Sequence, residues 1–475
     1  MVQRAAVRQA TGRGGMRRLA VALLCALALP ASAQSAQPTL AELLQRLEAL
    51  ERRHGAADAQ AVDGTPLDLA ALDQRLRALE RNLELQEEAR QAAAKQAPVA
   101  SAGAGGAALR SGDGRYELRF RGLVQGDGRF FTGDGASDGD DTFLLRRVRP
   151  TFEGSLGRLV GFRLTPEFAG DSASLVDAYI DLKFDPAFTV RAGKVKGPVG
   201  LERLQSGNAL ALIERGFPTE LAPNRELGVQ AQGELADARF SYTLGVYNGA
   251  PDGRDGATSN SDGHFEYAGR AFFEPVKGIG FGVGGSTGDK DGGGNALLPR
   301  YRTQGQQQFF NYRAAVVADG RHSRLSPQGN LYRGPFGLQA EYIRSRQALR
   351  AGATRATLEH SAWQTTASWV LSGEDAGFRG VKPARPFDAQ GGWGAFEVVA
   401  RVGELAIDDA AFPLFADPSL TSRRAREWAL GLNWYLNANL KLAVNYLHTG
   451  FDGGATAGAD REDEKAVFSR LQVAF

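Results

Sequence analysis

Arginine gives this sequence its chemical character. Of its 56 basic residues, 47 are Arg and 9 are Lys. Arg119, Arg121 and Arg129 share one parity along their segment, and Arg147, Arg149, Arg163 and Arg191 fall on the polar face of theirs. A guanidinium is charged at every accessible pH and presents a rigid fork of donors that fits carboxylates and oxyanions. A file of such forks along one face would draw anions in and offer them bidentate partners. Glu117, Asp127, Glu153 and Glu167 stand nearby, so neutralising ion pairs are the competing expectation. The strands alone leave both open.

Other motifs carry less. Gly280, Gly282 and Gly285 match G-x-G-x-x-G, and Gly284, Ser286 and Gly288 match G-x-S-x-G. Both motifs require a helix directly after the turn. Here they lie in a Gly-rich strand pattern that runs into an Asp/Gly loop. The histidines at 54, 264, 322, 360 and 448 show no metal-ligand spacing. Asp134, Asp138, Asp140 and Asp141 could hold Ca²⁺, but a solvated loop explains them better. The lone Cys25 falls in the N-terminal leader, so neither a disulfide nor a thiolate nucleophile is expected in the rest of the chain. The sequence is not that of an enzyme, and no cofactor or metal is expected.

The elements that must position the arginines follow from periodicity. Residues 1–33 read as a secretory signal. Arg13, Arg17 and Arg18 precede the apolar run Leu19 to Leu29, and Ala31-Ser32-Ala33 offers a cleavage site before Gln34. The apolar run is shorter than the ~20 residues a membrane span needs. Losing five arginines and no acid with that leader takes the formal charge from +2 to −3, which argues against a nucleic-acid partner. Residues 34–95 read as a periplasmic coiled-coil segment. Leu40, Leu43, Leu47 and Leu50, then Leu69, Leu72, Leu76, Leu79 and Leu83, mark an a/d seam, which a single helical hairpin folding on itself could also produce. Residues 96–114, small and almost uncharged, read as a flexible linker.

From Arg115 the period becomes 2. Leu118, Phe120 and Val124 oppose Glu117, Arg119, Arg121 and Gln125; Val176, Ala178, Ile180 and Leu182 oppose Asp177, Tyr179 and Asp181. Segments of about ten residues, aromatics near their ends, and alternating short and long Gly/Asp-rich connections are the signs of an outer-membrane β-barrel. The long connections include 248–263, 287–307, 373–391 and 451–463. The pattern yields 17 candidate segments where a bacterial barrel needs an even number, with the ambiguity between 308 and 425. The chain ends on an amphipathic strand, Val467 to Phe475, whose last residue is aromatic. The expected fold is thus an all-β transmembrane barrel of about 16 antiparallel strands over 115–475, lipid-facing outside and preceded by a short α-helical coiled coil.

The stretch Val190-Arg191-Ala192-Gly193-Lys194-Val195-Lys196-Gly197-Pro198-Val199-Gly200-Leu201-Glu202 resembles the signature of the phosphate-selective porin O/P family. Arg146-Arg147-x-Arg149, Tyr247-Asn248-Gly249, Gly334-Pro335-Phe336-Gly337, Ser372-Gly373-Glu374-Asp375 and Asn433-Trp434-Tyr435-Leu436-Asn437 extend the resemblance across the barrel. It implies a 16-stranded homotrimeric porin passing phosphate or polyphosphate, with an outer loop near 194–224 folded into the pore. Carried over by motif, Lys194 and Lys196 would bind the anion, with Arg203 and Arg215 as looser candidates. The file Arg119, Arg121, Arg129, Arg147, Arg149, Arg163 and Arg191 would line the route. Val195 and Val199 stand where many members have Phe. Two other readings stay open: a non-selective porin, since Asp177, Asp181 and Glu167 share the lumen parity, and a tether that holds a partner through its coiled coil.

Overall fold

A computed structural model describes residues 97–133, 139–294, 297–388 and 390–475, with isolated helical positions at 81, 85, 88, 90 and 92. The leader, the whole leucine seam from Leu40 to Leu83, and Asp134 and Asp138 lie outside the described residues.

Two short strands come first, β1 (Val99–Gly103) and β2 (Gly106–Arg110). The first half of the barrel then follows: β3 (Tyr116–Phe131), β4 (Thr142–Leu156), β5 (Val160–Glu167), β6 (Ser174–Asp185), β7 (Phe188–Val195), β8 (Glu226–Leu235), β9 (Phe240–Tyr247), β10 (Glu266–Val276) and β11 (Ile279–Gly293). β12 (Arg300–Arg302) and β13 (Gln308–Asn311) form a separate ribbon. The second half comprises β14 (Val316–Arg333), β15 (Phe336–Ala351), β16 (Thr354–Val370), β17 (Ala395–Ala406), β18 (Ser422–Tyr435), β19 (Leu440–Gly453) and β20 (Glu464–Ala474). Every neighbour pair is antiparallel, and β20 returns to β3 in register Ala474↔Leu123, closing a barrel of 16 strands. Closure leaves no unpaired ladder in the wall, which a lipid environment demands.

Alternation sorts the side chains. Phe120, Ile180, Leu244, Phe281, Trp363, Leu430 and Leu471 are exposed on the outer face, whereas Gln125, Asp127, Gln230, Glu341, Arg401 and Arg470 are buried on the inner one. That is the reverse of a soluble sandwich and matches a wall with lipid outside and polar groups within. Among the described residues no helix is long and apolar enough to cross a membrane, which says nothing of strands.

Two expectations change. The first is the linker. Residues 99–110 form a hairpin, and β2 pairs with β3 in register Ala107↔Phe120 to Arg110↔Glu117. β20 stops at Leu123, so residues 117–120 of β3 would otherwise present bare N–H and C=O groups, and the hairpin satisfies them. The second is the segment 373–391. Connections at 157–159, 186–187, 236–239, 277–278, 334–335 and 436–439 mark one end of the barrel as periplasmic by their brevity. The connection 371–394 lies at that same end, while β15 and β16 are joined at the outer end by residues 352–353 alone. Loop length therefore misleads here, and this is where the alternation of loops loses phase. The barrel has the expected 16 strands, one fewer than the 17 candidate segments.

Part of the lumen has a soluble-type core. Tyr301, Phe309, Phe310 and Phe415, from loops 294–315 and 407–421, pack on Ile343, Leu349, Leu358 and Leu405 of β15–β17. The open route is left along the wall of β4–β10.

Candidate functional site at the lumen constriction

Between β7 and β8 the chain runs through residues 196–225, with single turns α1 (Leu201–Leu204) and α2 (Pro218–Leu221). Val199, Leu210, Leu212, Ile213, Phe217 and Leu221 of this loop are buried, so it folds into the barrel. Two glycines take conformations a side chain would not allow, one within β7 and one where the loop enters the barrel. Gly193 has φ 132° and a Cβ there would collide with the carbonyl of Ala178; Gly200, at φ 85°, opens α1.

The far wall ties the loop down. Gln125 Nε2 donates to Gly207 O (3.1 Å), Asn433 Nδ2 to Ala211 O (2.7 Å) and Lys441 Nζ to Leu210 O (2.9 Å). Ile213 N donates to Asn445 Oδ1 (2.6 Å), and Leu201 N to Glu341 Oε2 (2.6 Å). Arg401, fully buried, pairs with Glu202 (3.2 Å) and Glu427 (3.0 Å). From the periplasmic side Phe378 O accepts from Gln205 Nε2 (2.7 Å), so the connection 371–394 also reaches the loop. Thus a polar web fixes the constriction together with apolar packing of Val199, Phe217 and Leu221 in the lumen core and of Leu212 and Ile213 against Val399, Ala429 and Phe468.

The loop divides two cavities. The inner one, about 670 Å³, is lined by Arg121, Arg149, Arg163, Arg191, Lys196 and Arg225, among others. The outer one, about 140 Å³, is lined by Arg146, Arg147, Arg203, Arg215, Arg254 and Arg302 with Glu214 and Glu220.

The arginine file faces inward along its strands, but most of it is paired with carboxylates. Arg119 pairs with Glu117 (2.6 Å), and Arg121 and Arg163 share Glu153 (3.1 and 2.5 Å). Arg149 pairs with Glu167 (2.6 Å), Arg191 with Asp181 (2.6 Å), and Arg129 with Asp127 (3.1 Å) and Glu214 (2.6 Å). Arg147 is the exception, donating to the Gln125 carboxamide at 2.6 Å.

Of the loop candidates, Lys196, Arg203 and Arg215 converge and Lys194 does not. Lys194 lines neither cavity and reaches Asp255 at 3.4 Å. Its parity opposes that of Arg191 because the strand continues to Val195. One residue later, Lys196 Nζ donates to Leu204 O (3.1 Å) and Gln205 O (2.8 Å). Arg215 donates to Glu202 O (3.0 Å) and to the same Gln205 O (2.7 Å). Arg203 holds Asn224 Oδ1 (2.9 Å) and Thr219 O. Among the described residues no carboxylate pairs with Lys196, Arg147, Arg203 or Arg215.

The family model for phosphate-selective porin O and P matches residues 117–475, the whole barrel. The chain belongs to that family. It is 22% identical to Porin O of Pseudomonas aeruginosa over 413 residues, 78% of this chain and 91% of the relative. It is 25% identical to an uncharacterized protein of Caulobacter vibrioides over 329 residues, 64% of this chain, and so spans 62% of that relative's length. The outer membrane channel DcaP of Acinetobacter baumannii shares the fold, with TM-score 0.51 and 11% identity over 76% of this chain and 98% of that one. Family and fold are those of an outer-membrane channel.

In this porin the unneutralised cations press on one another. Burial, then the charges of Arg215, Arg225 and Arg203, push the Lys196 ammonium well below its ordinary range. Burial pushes Arg215 down to about 9 and Arg203 to about 10, so both stay charged at pH 7. Glu214 shows the opposite balance. Burial would raise it, but Arg146, Arg129 and Arg470 outweigh that and hold it well below the usual carboxylate range.

Several lining residues escape sequence parity. Arg146 joins Arg147 in the lumen because the β3–β4 register slips between Gln125 and Gly126, and Arg146 reaches Glu214 at 2.6 Å. A bulge places two successive residues against one on the partner strand, so alternation fails there. Arg225 precedes β8 and pairs with Asp177 at 3.3 Å. Arg270 on β10, bonded to Gln328 at 3.0 Å, lines the inner cavity and parity along β10 could have found it.

Proposed function

We propose that this porin prefers anions and passes phosphate or polyphosphate across the outer membrane. One observation carries the reading: Lys196, Arg147, Arg203 and Arg215 meet at the constriction with backbone carbonyls and amides as hydrogen-bond partners, and none of them forms an ion pair with a carboxylate among the described residues. Carbonyl oxygens satisfy donors without cancelling charge. The constriction therefore holds a positive field that nearby Glu214 and Glu220 offset only in part, in a partly dry passage where charge interactions exceed those in water. An oxyanion arriving there exchanges hydration for guanidinium and ammonium donors and lowers the mutual repulsion of the cations. The cavities on either side, both arginine-lined, give it somewhere to come from and go to, as multi-site conduction requires. The reading is tested by reversal potential in a KCl gradient and by phosphate block of the chloride current. Anion-directed reversal with block at low phosphate is expected.

A second reading has its own support. With six of the seven file arginines paired to a carboxylate, though some share one, the wall comes nearer to charge balance, as in a general porin. Reversal near zero and no phosphate block would favour it.

We further propose a homotrimer associated through barrel walls, with residues 34–95 as a periplasmic coiled coil. Its basis is the family together with the leucine seam. Leu72→Asp with Leu79→Asp should leave trimers in mild detergent; monomers would show that the helices dominate assembly.

A further inference from the structure

The outward face of the barrel changes character along β14–β16. Near the periplasmic end it is apolar: Leu331 on β14, Phe336, Leu338 and Tyr342 on β15, and Trp363 and Trp369 on β16 are exposed. Toward the outer end the same parity carries Arg321 on β14, Arg344, Arg346 and Arg350 on β15, and Arg355 and Glu359 on β16. The register places them side by side: Arg346 opposite Glu359, Arg344 opposite Ser361, Arg350 opposite Arg355. These residues face away from the lumen, so they take no part in conduction.

The charges do not balance. Arg344 and Arg346 share Glu359 (3.8 and 3.4 Å), and Arg350 and Arg355 share Asp319 (3.0 and 2.7 Å). Four guanidiniums thus divide two carboxylates, and all four remain well exposed. By contrast Arg424 and Arg426 on β18 divide Glu404 and Asp452, one acid for each base. The height is also informative. From Phe336 to Arg344 is eight residues, roughly 27 Å along the strand by its usual rise. With the usual strand tilt that is about the thickness of the apolar band of such barrels. Arg344 and Arg346 therefore sit where lipid chains give way to head groups, and Arg350 and Arg355 stand above them. The two-residue turn at 352–353 leaves this surface without a long loop over it.

We infer that the outward face of β14–β16 binds a phosphate-bearing lipid of the outer leaflet. The acyl chains lie against Leu338, Tyr342 and Trp363, and the phosphates are held by Arg344, Arg346, Arg350 and Arg355. Guanidinium forks with a half-share of a carboxylate have donors left for phosphate oxygens, and the site needs both an acyl surface and an anionic head. Free phosphate would lack the first, and a neutral lipid the second.

The test is native mass spectrometry of the delipidated porin in detergent, titrated with lipid A and with lipid A stripped of its phosphates. Wild type should bind lipid A and bind the stripped form far more weakly. Arg344→Gln with Arg346→Gln and Arg355→Gln should weaken lipid A on the order of 100-fold, at about fivefold for each charge removed near a lipid surface. Arg424→Gln with Arg426→Gln, which removes matched charges, should cost much less, and chloride conductance should stay unchanged in every variant. Equal binding of the stripped lipid, equal loss in the β18 variant, or a triple variant that binds lipid A as wild type but assembles poorly would each overturn the assignment. The last outcome would make the patch a protomer interface. Anion selectivity plays no part in this result, so it can fail while the conduction reading stands.

Discussion

Replacing Lys196 with Gln, Arg215 with Gln, and both together isolates the constriction charges that no carboxylate pairs directly. Lys196 Nζ and Arg215 Nη2 lie 2.8 and 2.7 Å from the same oxygen, Gln205 O, so the two donor nitrogens are no more than 5.5 Å apart. At an effective dielectric near 20 two unit charges at that separation repel by about 3 kcal/mol. An anion seated between them recovers attraction from both. Removing one donor from such a partly desolvated site should cost on the order of 1–3 kcal/mol, roughly 5- to 150-fold in affinity. The double variant should lose less than the sum of the singles, because each single change also relieves the other cation of its neighbour. The assay is block of chloride current in single channels, with sulfate as the blocking ion because it keeps one charge state across the pH range used. Its pH profile adds an independent readout. Lys196 is held below its ordinary range, so its charge is present at low pH and is lost as pH rises through that lowered value. Block should weaken over the same interval. Arg215→Gln removes the strongest neighbouring repulsion and should move that interval upward, while Lys196→Gln should abolish it. Unchanged block in both single variants, or a pH profile unmoved by Arg215→Gln, would refute the argument that these charges act on the passing ion.

Three further outcomes follow from particular contacts. Glu153→Gln leaves Arg121 and Arg163 without their shared carboxylate, so reversal potential in a salt gradient should shift toward anions, and no shift would mean the file does not sense the ion. Arg401→Met strips Glu202 and Glu427 of a fully buried partner; it should destabilise the porin by about 3–5 kcal/mol, read by thermal unfolding in detergent, and raise open-channel noise as the loop loosens. Mass spectrometry of the membrane-extracted protein should find Gln34 as its first residue, and an intact Met1 or Met16 terminus would contradict cleavage after Ala33.

How much of this was legible beforehand depends on whether a residue's facing follows from its neighbours. On the strands it does. The parity that opposes Phe120 to Arg121, or Ile180 to Asp181, is the parity the wall shows, because a pleated strand has only two faces. The inward loop was legible through Gly193, Gly197 and Pro198, and Lys196 and Lys194 part company where the strand ends between them. What alternation could not supply was any residue placed by a break in the ladder. Arg146 turns inward at a bulge, Arg225 comes from a loop, and the hairpin 99–110 exists because β20 is too short to cover β3. Its residues, small and uncharged but for Leu109 and Arg110, carry no strand pattern, since the demand for pairing comes from another segment. The misplaced segment 371–394 has the same origin. Its length suggested an outer loop, but the end of the barrel it occupies is fixed by counting strands, and that count was ambiguous where β14–β16 run long.

The ion pairs also change what the arginine excess means. Counting 47 arginines suggests a positive pore, yet the wall residues Arg149, Arg163 and Arg191 each meet a carboxylate within 2.6 Å. A guanidinium so paired still gives shape and donors, but its long-range field is largely cancelled. Selectivity in such a lumen must come from positions where an amide or carbonyl stands in the place of a carboxylate. Gln125 does so for Arg147, Asn224 for Arg203, and the carbonyl of Gln205 for both Lys196 and Arg215. On the proposed anion preference, those neutral partners therefore matter as much as the cations. Converting Gln125 to Glu would leave every basic residue in place and should still weaken the anion preference, an outcome that a reading based on arginine number alone does not allow.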